Sequence, residues 1–184
     1  MTDFRFKRAI VLGEYESDLR LFVLRMKTDR TGILAISATK VFVYHRRADL
    51  ESTGADYIVP VPMHRLRRAE RGGNSPDFIA EELGQQLKIP VLWHLVQRIR
   101  PTDLQYTLSQ RARAENVSGA FGLRPPNRFT GLPLLRDKNV LLVDDILTTG
   151  ATCNEVTKVL LASGVRSVTV TVLARAEGET HRAQ

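Results

Sequence analysis

Apolar side chains are densest early in the chain, at Leu19, Leu21, Phe22, Val23, Leu24 and Met26, so Ser17–Met26 predicts a mostly buried helix capped by Ser17. A second helix is expected after Gly32. Tyr57–Val59 reads as a strand that stops at Pro60-Val61-Pro62, because proline has no N–H to continue a central ladder. Asn74-Ser75-Pro76 offers a capping residue and a proline suited to a first helical turn. Phe78, Ile79, Leu83 and Leu87 then recur at helical spacing, up to a stop before Pro90. Pro90–Leu95 reads as a short strand, with Trp93 expected in the core. From Arg98 to Asn116 the chain is polar, arginine-rich and poorly periodic, the pattern of a long functional or disordered loop.

In the second half, Val140–Val143 is a continuous apolar run, as in a strand covered on both faces of a parallel sheet. A helix follows, with Val156, Val159 and Leu160 on one face and Gly164 at its end, and Val168–Leu173 is the next strand. Strand, helix and strand in succession imply a parallel crossover. The expected fold is therefore α/β, an open, mainly parallel sheet with helices on both faces and a Rossmann-like three-layer build. Ligands of such sheets bind beyond the carboxyl ends of the strands. One domain is expected over 1–176, with 177–184 as a disordered tail.

Composition narrows the class. A hydrophobic share of 43% and a charged share of 26% in 184 residues suit one globular domain with a real core. The first residues hold no apolar run of signal-peptide length, and no stretch reaches about 18 uncharged apolar residues, so a soluble, cytoplasmic protein without membrane contact is expected. The single cysteine, Cys153, cannot form an intrachain disulfide or a cysteine-based zinc site, and no structural zinc is expected. The net charge of +7 attracts polyanions of any kind. Much of it is local, at His64-Arg65-Leu66-Arg67-Arg68 to Arg71, at Arg98–Arg100 and at Arg111–Arg113. Aromatic and basic residues do not alternate as they do in stacking grooves, so nucleic acid is supported only as a nonspecific partner. Homo-oligomerisation is left open.

The candidate chemistry lies in Asp144–Thr152, DDILTTGAT. Where a helix begins at the end of a strand, backbone N–H groups lack helical partners and face the positive end of the dipole, which suits a phosphate. Gly150 lets the backbone approach closely, and Thr148, Thr149 and Thr152 add hydroxyl donors, with Ile146, Leu147 and Ala151 completing the segment. Two adjacent carboxylates beside an anion need sugar hydroxyls or a divalent cation between. A phosphorylated ribose with Mg²⁺ supplies both. Either half alone would read as a turn and a helix cap. The chain has neither G-x-x-x-x-G-K-[ST] nor G-x-G-x-x-G after a strand, which disfavours an ATPase or a dinucleotide enzyme.

The segment VLLVDDILTTGAT, Val140–Thr152, resembles the phosphoribosyl pyrophosphate signature of type I phosphoribosyltransferases. VPVPMHRLRRAERGGN (Val59–Asn74) and QYTLSQRARAENVSGAF (Gln105–Phe121) resemble segments of the competence-protein-F-like (ComF/GntX) branch, and Leu19–Lys27 is similar to its early helix. The resemblance spans most of residues 15–175. Two features depart from it. The cysteine-rich, zinc-binding N-terminal module common in that family is absent from this sequence. The usual RG-aromatic-NQ reads Arg71-Gly72-Gly73-Asn74-Ser75.

The resemblance implies a type I fold with a small hood-like part from the N-terminal helices. It implies transfer of phosphoribosyl from Mg-phosphoribosyl pyrophosphate to an unidentified base or amine, with release of pyrophosphate. Asp144 and Asp145 would orient the ribose and meet the substrate's Mg²⁺, while Ile146, Leu147, Thr148, Thr149, Gly150, Ala151 and Thr152 would hold the 5-phosphate. Val61, Pro62, His64 and Arg65 match the pyrophosphate turn, with Arg67, Arg68 and Arg71 nearby. Gln105, Arg113 and Asn116 match the mobile loop, and Lys27 matches a family lysine able to reach an anion. Two alternatives stand beside the enzyme: a non-catalytic phosphoribosyl pyrophosphate sensor, and a DNA-uptake accessory that binds single-stranded DNA.

Overall fold

A computed structural model describes residues 4–63, 74–100, 110–125 and 135–176, with backbone alone at 110, 111, 113 and 114. Among the described residues four strands form the main sheet: β1 (Arg8–Glu14), β2 (Tyr57–Pro60), β5 (Asn139–Leu147) and β6 (Ser167–Arg175), in the order β1-β6-β5-β2. All three pairings are parallel. β3 (Val96–Arg98) and β4 (Phe121–Leu123) make a separate antiparallel pair. The helices are α1 (Ser17–Met26), α2 (Ile33–Glu51), α3 (Ser75–Leu87), α4 (Gln110–Val117) and α5 (Ala151–Ala162).

Alternation along β5 builds both cores. Val140 and Leu142 face a cluster with Cys153, Val156 and Leu160 of α5, while Leu141 and Val143 face Met26 of α1, Phe42 of α2 and Leu83 of α3. These four β5 residues are at most 1% exposed, and a fully buried leucine contributes about 1.5–3 kcal/mol. A continuous apolar run is what a two-sided burial requires. The N-terminal helices α1 and α2, expected as a hood, share the α3 side of the sheet.

Several expectations are corrected in detail. Ser17 does not cap α1: Glu16 takes the N-cap position, and no side chain closes the helix start. α1 is also less buried than its density of apolar residues suggests, since Leu21 and Leu24 are 55% and 43% exposed and only one face meets the sheet. Pro90–Leu95 is not a strand. It makes a single bridge from Val91 to Ile58, and the strand starts at Val96. Trp93 is 45% exposed rather than in the core. β5 extends past Val143 to Leu147, and α4 forms inside the polar stretch read as a loop. β1 has no counterpart among the expected elements. The strand end at Pro60 fits the sheet edge, where Val61 N–H still donates to the Val143 carbonyl at 2.8 Å. Residues 177–184 lie outside the described residues, and among the described residues no helix is long and apolar enough to cross a membrane.

Candidate active site

The carboxyl end of β5 carries the expected pair. Asp144 pairs in register with Val172 of β6, Asp145 follows it on the strand, and both residues are half-buried. Asp145 N–H donates to Asp144 Oδ1 at 2.9 Å, fixing one carboxylate against the backbone of the other. Burial, followed by the charge of Asp145, pushes the Asp144 carboxyl up to about 7, while Lys27 acts the other way. The buried Cys153 thiol lies 3.8 Å from Asp144 Oδ2 and is pushed well up, first by burial and then by the Asp144 charge. It is a thiol donor inside the core.

Lys27 ends α1 as its C-cap, and its ammonium stands 3.4 Å from Asp145 Oδ2. The lysine expected to reach an anion therefore already has one within the protein. Its chain position at a helix terminus gave no sign of that partner.

The turn after β5 splits the expected phosphate segment. Leu147 is buried in the core and Ile146 packs against the opposite cluster. Leu147 also accepts from Ala176 N–H at 2.9 Å, so these two residues serve the sheet. Thr148 is exposed, Thr149 Oγ1 accepts from Ala151 N–H at 3.4 Å, and Ala151 and Thr152 begin α5. Gly150 is the N-cap in the left-handed region, at φ 73°. A Cβ there would stand 2.5 Å from the Phe4 ring, so backbone conformation and neighbour both demand glycine. Phe4 stacks on Phe6, and Arg5 N–H donates to Asn154 Oδ1 at 2.8 Å, which ties the first described residues to the start of α5. Sequence reasoning missed this strap, because nothing local in Phe4–Phe6 names a partner about 150 residues away.

Val61, Pro62 and Met63 follow β2, next to Val143 and hence beside the aspartates. His64 and Arg65, with Arg67, Arg68 and Arg71, lie outside the described residues, as does Gln105. Asn74, read as a helix cap, makes no capping bond. Its amide donates to the Val61 carbonyl at 3.2 Å and to Asp77 Oδ1 at 2.9 Å, fastening the turn after β2 to α3. Arg113 and Asn116 fall in α4, and the Asn116 carbonyl accepts from Arg100 at 3.0 Å.

Two side-by-side carboxylates and a glycine-started helix at the end of a central parallel strand can hold a ribose and its phosphate respectively. Among the described residues no group of three or more His, Cys, Asp or Glu side chains assembles a metal cage. A divalent ion would fit here through ligand oxygens, with Asp144 or Asp145 as its protein contact.

Residues 78–183 match the phosphoribosyl transferase domain family, and the chain belongs to that family. Within it, the chain sits with the competence protein F group. Competence protein F of Haemophilus influenzae is 33% identical over 92% of this chain and 73% of its own length. DNA utilization protein YhgH of Salmonella typhi is 30% identical over 92% and 73%, and competence protein ComFC of Streptococcus pneumoniae is 29% identical over 88% and 65%. A solved purine phosphoribosyltransferase from Pyrococcus horikoshii aligns with 92% of this chain and 88% of its own at a TM-score of 0.41 and 17% identity.

Proposed function

We propose that the protein binds Mg-phosphoribosyl pyrophosphate at the end of β5 and transfers the phosphoribosyl group to a nucleophile. The observation that carries this reading is the succession, along one strand end, of two contiguous half-buried carboxylates and a left-handed glycine that opens a helix. Asp144 and Asp145 take the ribose hydroxyls, the 5-phosphate lies over Thr148–Thr152, and Mg²⁺ arrives with the substrate's diphosphate. The nucleophile's lone pair forms a bond to ribose C1 as the C1–O bond breaks, and pyrophosphate leaves with that electron pair toward the segment that follows β2 from Val61. The protein's part is orientation, stabilisation of charge at C1 by the carboxylates, and exclusion of water.

Calorimetric titration of Mg-phosphoribosyl pyrophosphate tests this reading. The expected outcome is binding by the native protein and its loss in Asp144→Asn/Asp145→Asn with an unchanged circular dichroism spectrum. Equal affinity in the two proteins would sink the ribose assignment. Pyrophosphate release with a panel of bases and amines then separates an enzyme from a sensor.

The names of the relatives favour a second reading, a part in DNA uptake or utilization. It predicts that disrupting the gene in a naturally competent host lowers transformation. Rescue by the double asparagine variant would separate that role from the ribose site.

A further inference from the structure

The turn that opens α5 has little of its own to hold it. Gly150 starts the helix in the left-handed region, and no side chain caps that start. Asn154 N–H donates to the Gly150 carbonyl at 2.8 Å, while Ala151 N–H reaches Thr149 Oγ1 only at 3.4 Å. Glycine is the most permissive of residues, so fixing it in one conformation loses more backbone freedom than fixing any other. A turn that meets an anion through its backbone binds more tightly when it is set before the anion arrives.

Residues 4–7 supply that constraint from outside. The Phe4 ring fills the space where a Gly150 Cβ would stand, 2.5 Å from it. Arg5 N–H donates to Asn154 Oδ1 at 2.8 Å. Phe6, stacked on Phe4 at 4.7 Å, is buried in the cluster that holds Leu147, Cys153 and Val156, and Lys7 N–H donates to the Val168 carbonyl at 2.8 Å just before β1 begins. Asn154 joins the two systems, since its backbone amide holds the Gly150 carbonyl and its side-chain oxygen holds the strap. A change of conformation at Gly150 therefore has to displace the Phe4 ring or the Asn154 amide, and both are tied to a segment anchored in the core and in the sheet.

We infer that Phe4 and Asn154 are positioning residues for the phosphate turn, and that residues 4–6 act as a strap that presets Gly150 for the 5-phosphate. This role rests on the ribose-phosphate reading of Asp144–Thr152. The strap acts on the ligand only through Gly150 and the start of α5. Coupling of this kind is reciprocal, so a bound phosphate holds the strap in place as firmly as the strap holds the turn.

Calorimetry with ribose 5-phosphate in the presence of Mg²⁺ tests the strap. Phe4 is 36% exposed, so Phe4→Ala trims a ring at the edge of the core while Phe6 remains to anchor the segment. Phe4→Ala and Asn154→Ala are each expected to weaken binding about tenfold at an unchanged circular dichroism spectrum. The variant carrying both should bind no more than about twofold worse than either, because the two changes release the same strap. Phe4→Tyr keeps the ring and should bind as the native protein does. Hydrogen exchange at the Arg5 amide, followed by NMR, adds a readout that packing alone would not move: saturating ribose 5-phosphate should slow it about tenfold. Native affinity in either single variant, additive losses in the combined one, or an Arg5 amide indifferent to ligand would overturn the strap and leave the ribose-site reading standing. No binding by the native protein, or equal binding by Asp144→Asn/Asp145→Asn, would instead overturn that reading and the strap with it.

Discussion

At the scale of single residues, the site turns on the unequal surroundings of two adjacent carboxylates. Asp144, pushed to about 7 by burial and by Asp145, holds a proton in the folded state between its ordinary 3.8 and about 7 that the unfolded chain has released. Its contribution to stability is therefore full below 3.8 and is lost as pH rises through about 7. Ligand binding runs the other way, because the charged form accepts more hydrogen bonds from ribose hydroxyls. Affinity for Mg-phosphoribosyl pyrophosphate is expected to rise about tenfold from pH 6 to pH 8, measured calorimetrically at constant ionic strength. Carbon-13 titration of the Asp144 carboxyl should show its midpoint falling in Asp145→Asn, where repulsion is removed, and rising in Lys27→Met, where an opposing cation is lost. A midpoint that moves the same way in both would contradict this account. At Gly150, alanine is expected to cost about 1–2 kcal/mol from the left-handed backbone alone. Phe4→Ala should recover little of that loss in urea unfolding, since it removes the ring but leaves φ at 73°.

At the scale of elements, burial on both faces explains what the pattern of the chain reveals and what it conceals. Val140–Val143 was readable because each of its residues is apolar. Asp144 and Asp145 look like a loop by polarity, yet they extend the strand because β5 stays paired with β6 as far as Leu147. β1 escaped notice because Arg8–Glu14 is an edge strand with charged ends and Gly13 inside, and its pairing with β6 joins residues about 160 apart in sequence. α4 was hidden for a different reason: QRARAENV has almost no apolar stripe, and among its described side chains only Val117 is buried in the core. The adjacent aspartates and the glycine-started helix were legible from local order, whereas the Asp145 partner of Lys27, the Phe4 neighbour of Gly150 and the Val61 partner of Asn74 are tertiary and leave no local trace. β6 carries one consequence of dense packing. Thr171 is fully buried, and its hydroxyl has no hydrogen-bond partner among the described residues. Replacing it by the isosteric valine removes a desolvated polar group and is expected to stabilise the protein by about 1 kcal/mol. A urea midpoint that falls in Thr171→Val would mean that the hydroxyl is satisfied in solution.

At the scale of the whole molecule, the charge of +7 and the acidic pair make opposite demands on the two readings of function. On the proposed ribose-site reading, Asp144 and Asp145 are needed despite their repulsion of phosphates, since sugar hydroxyls and Mg²⁺ would intervene. Contact with DNA through the general basic surface needs neither. Changing both aspartates to asparagine raises the formal charge from +7 by two, to +9, so nonspecific single-stranded DNA should bind as well as before or better while Mg-phosphoribosyl pyrophosphate is lost. Binding through the surface also has a distinct salt signature. If four phosphates are neutralised, raising salt from about 50 to 200 mM should weaken DNA binding about fiftyfold, through counterion release. Fluorescence anisotropy with a labelled oligonucleotide, on the native protein and the double variant at both salt concentrations, measures the two effects together. A DNA affinity that collapses in the double variant would place nucleic acid at the end of β5 itself, making the ribose-phosphate site a reader of polynucleotide rather than of a free sugar phosphate.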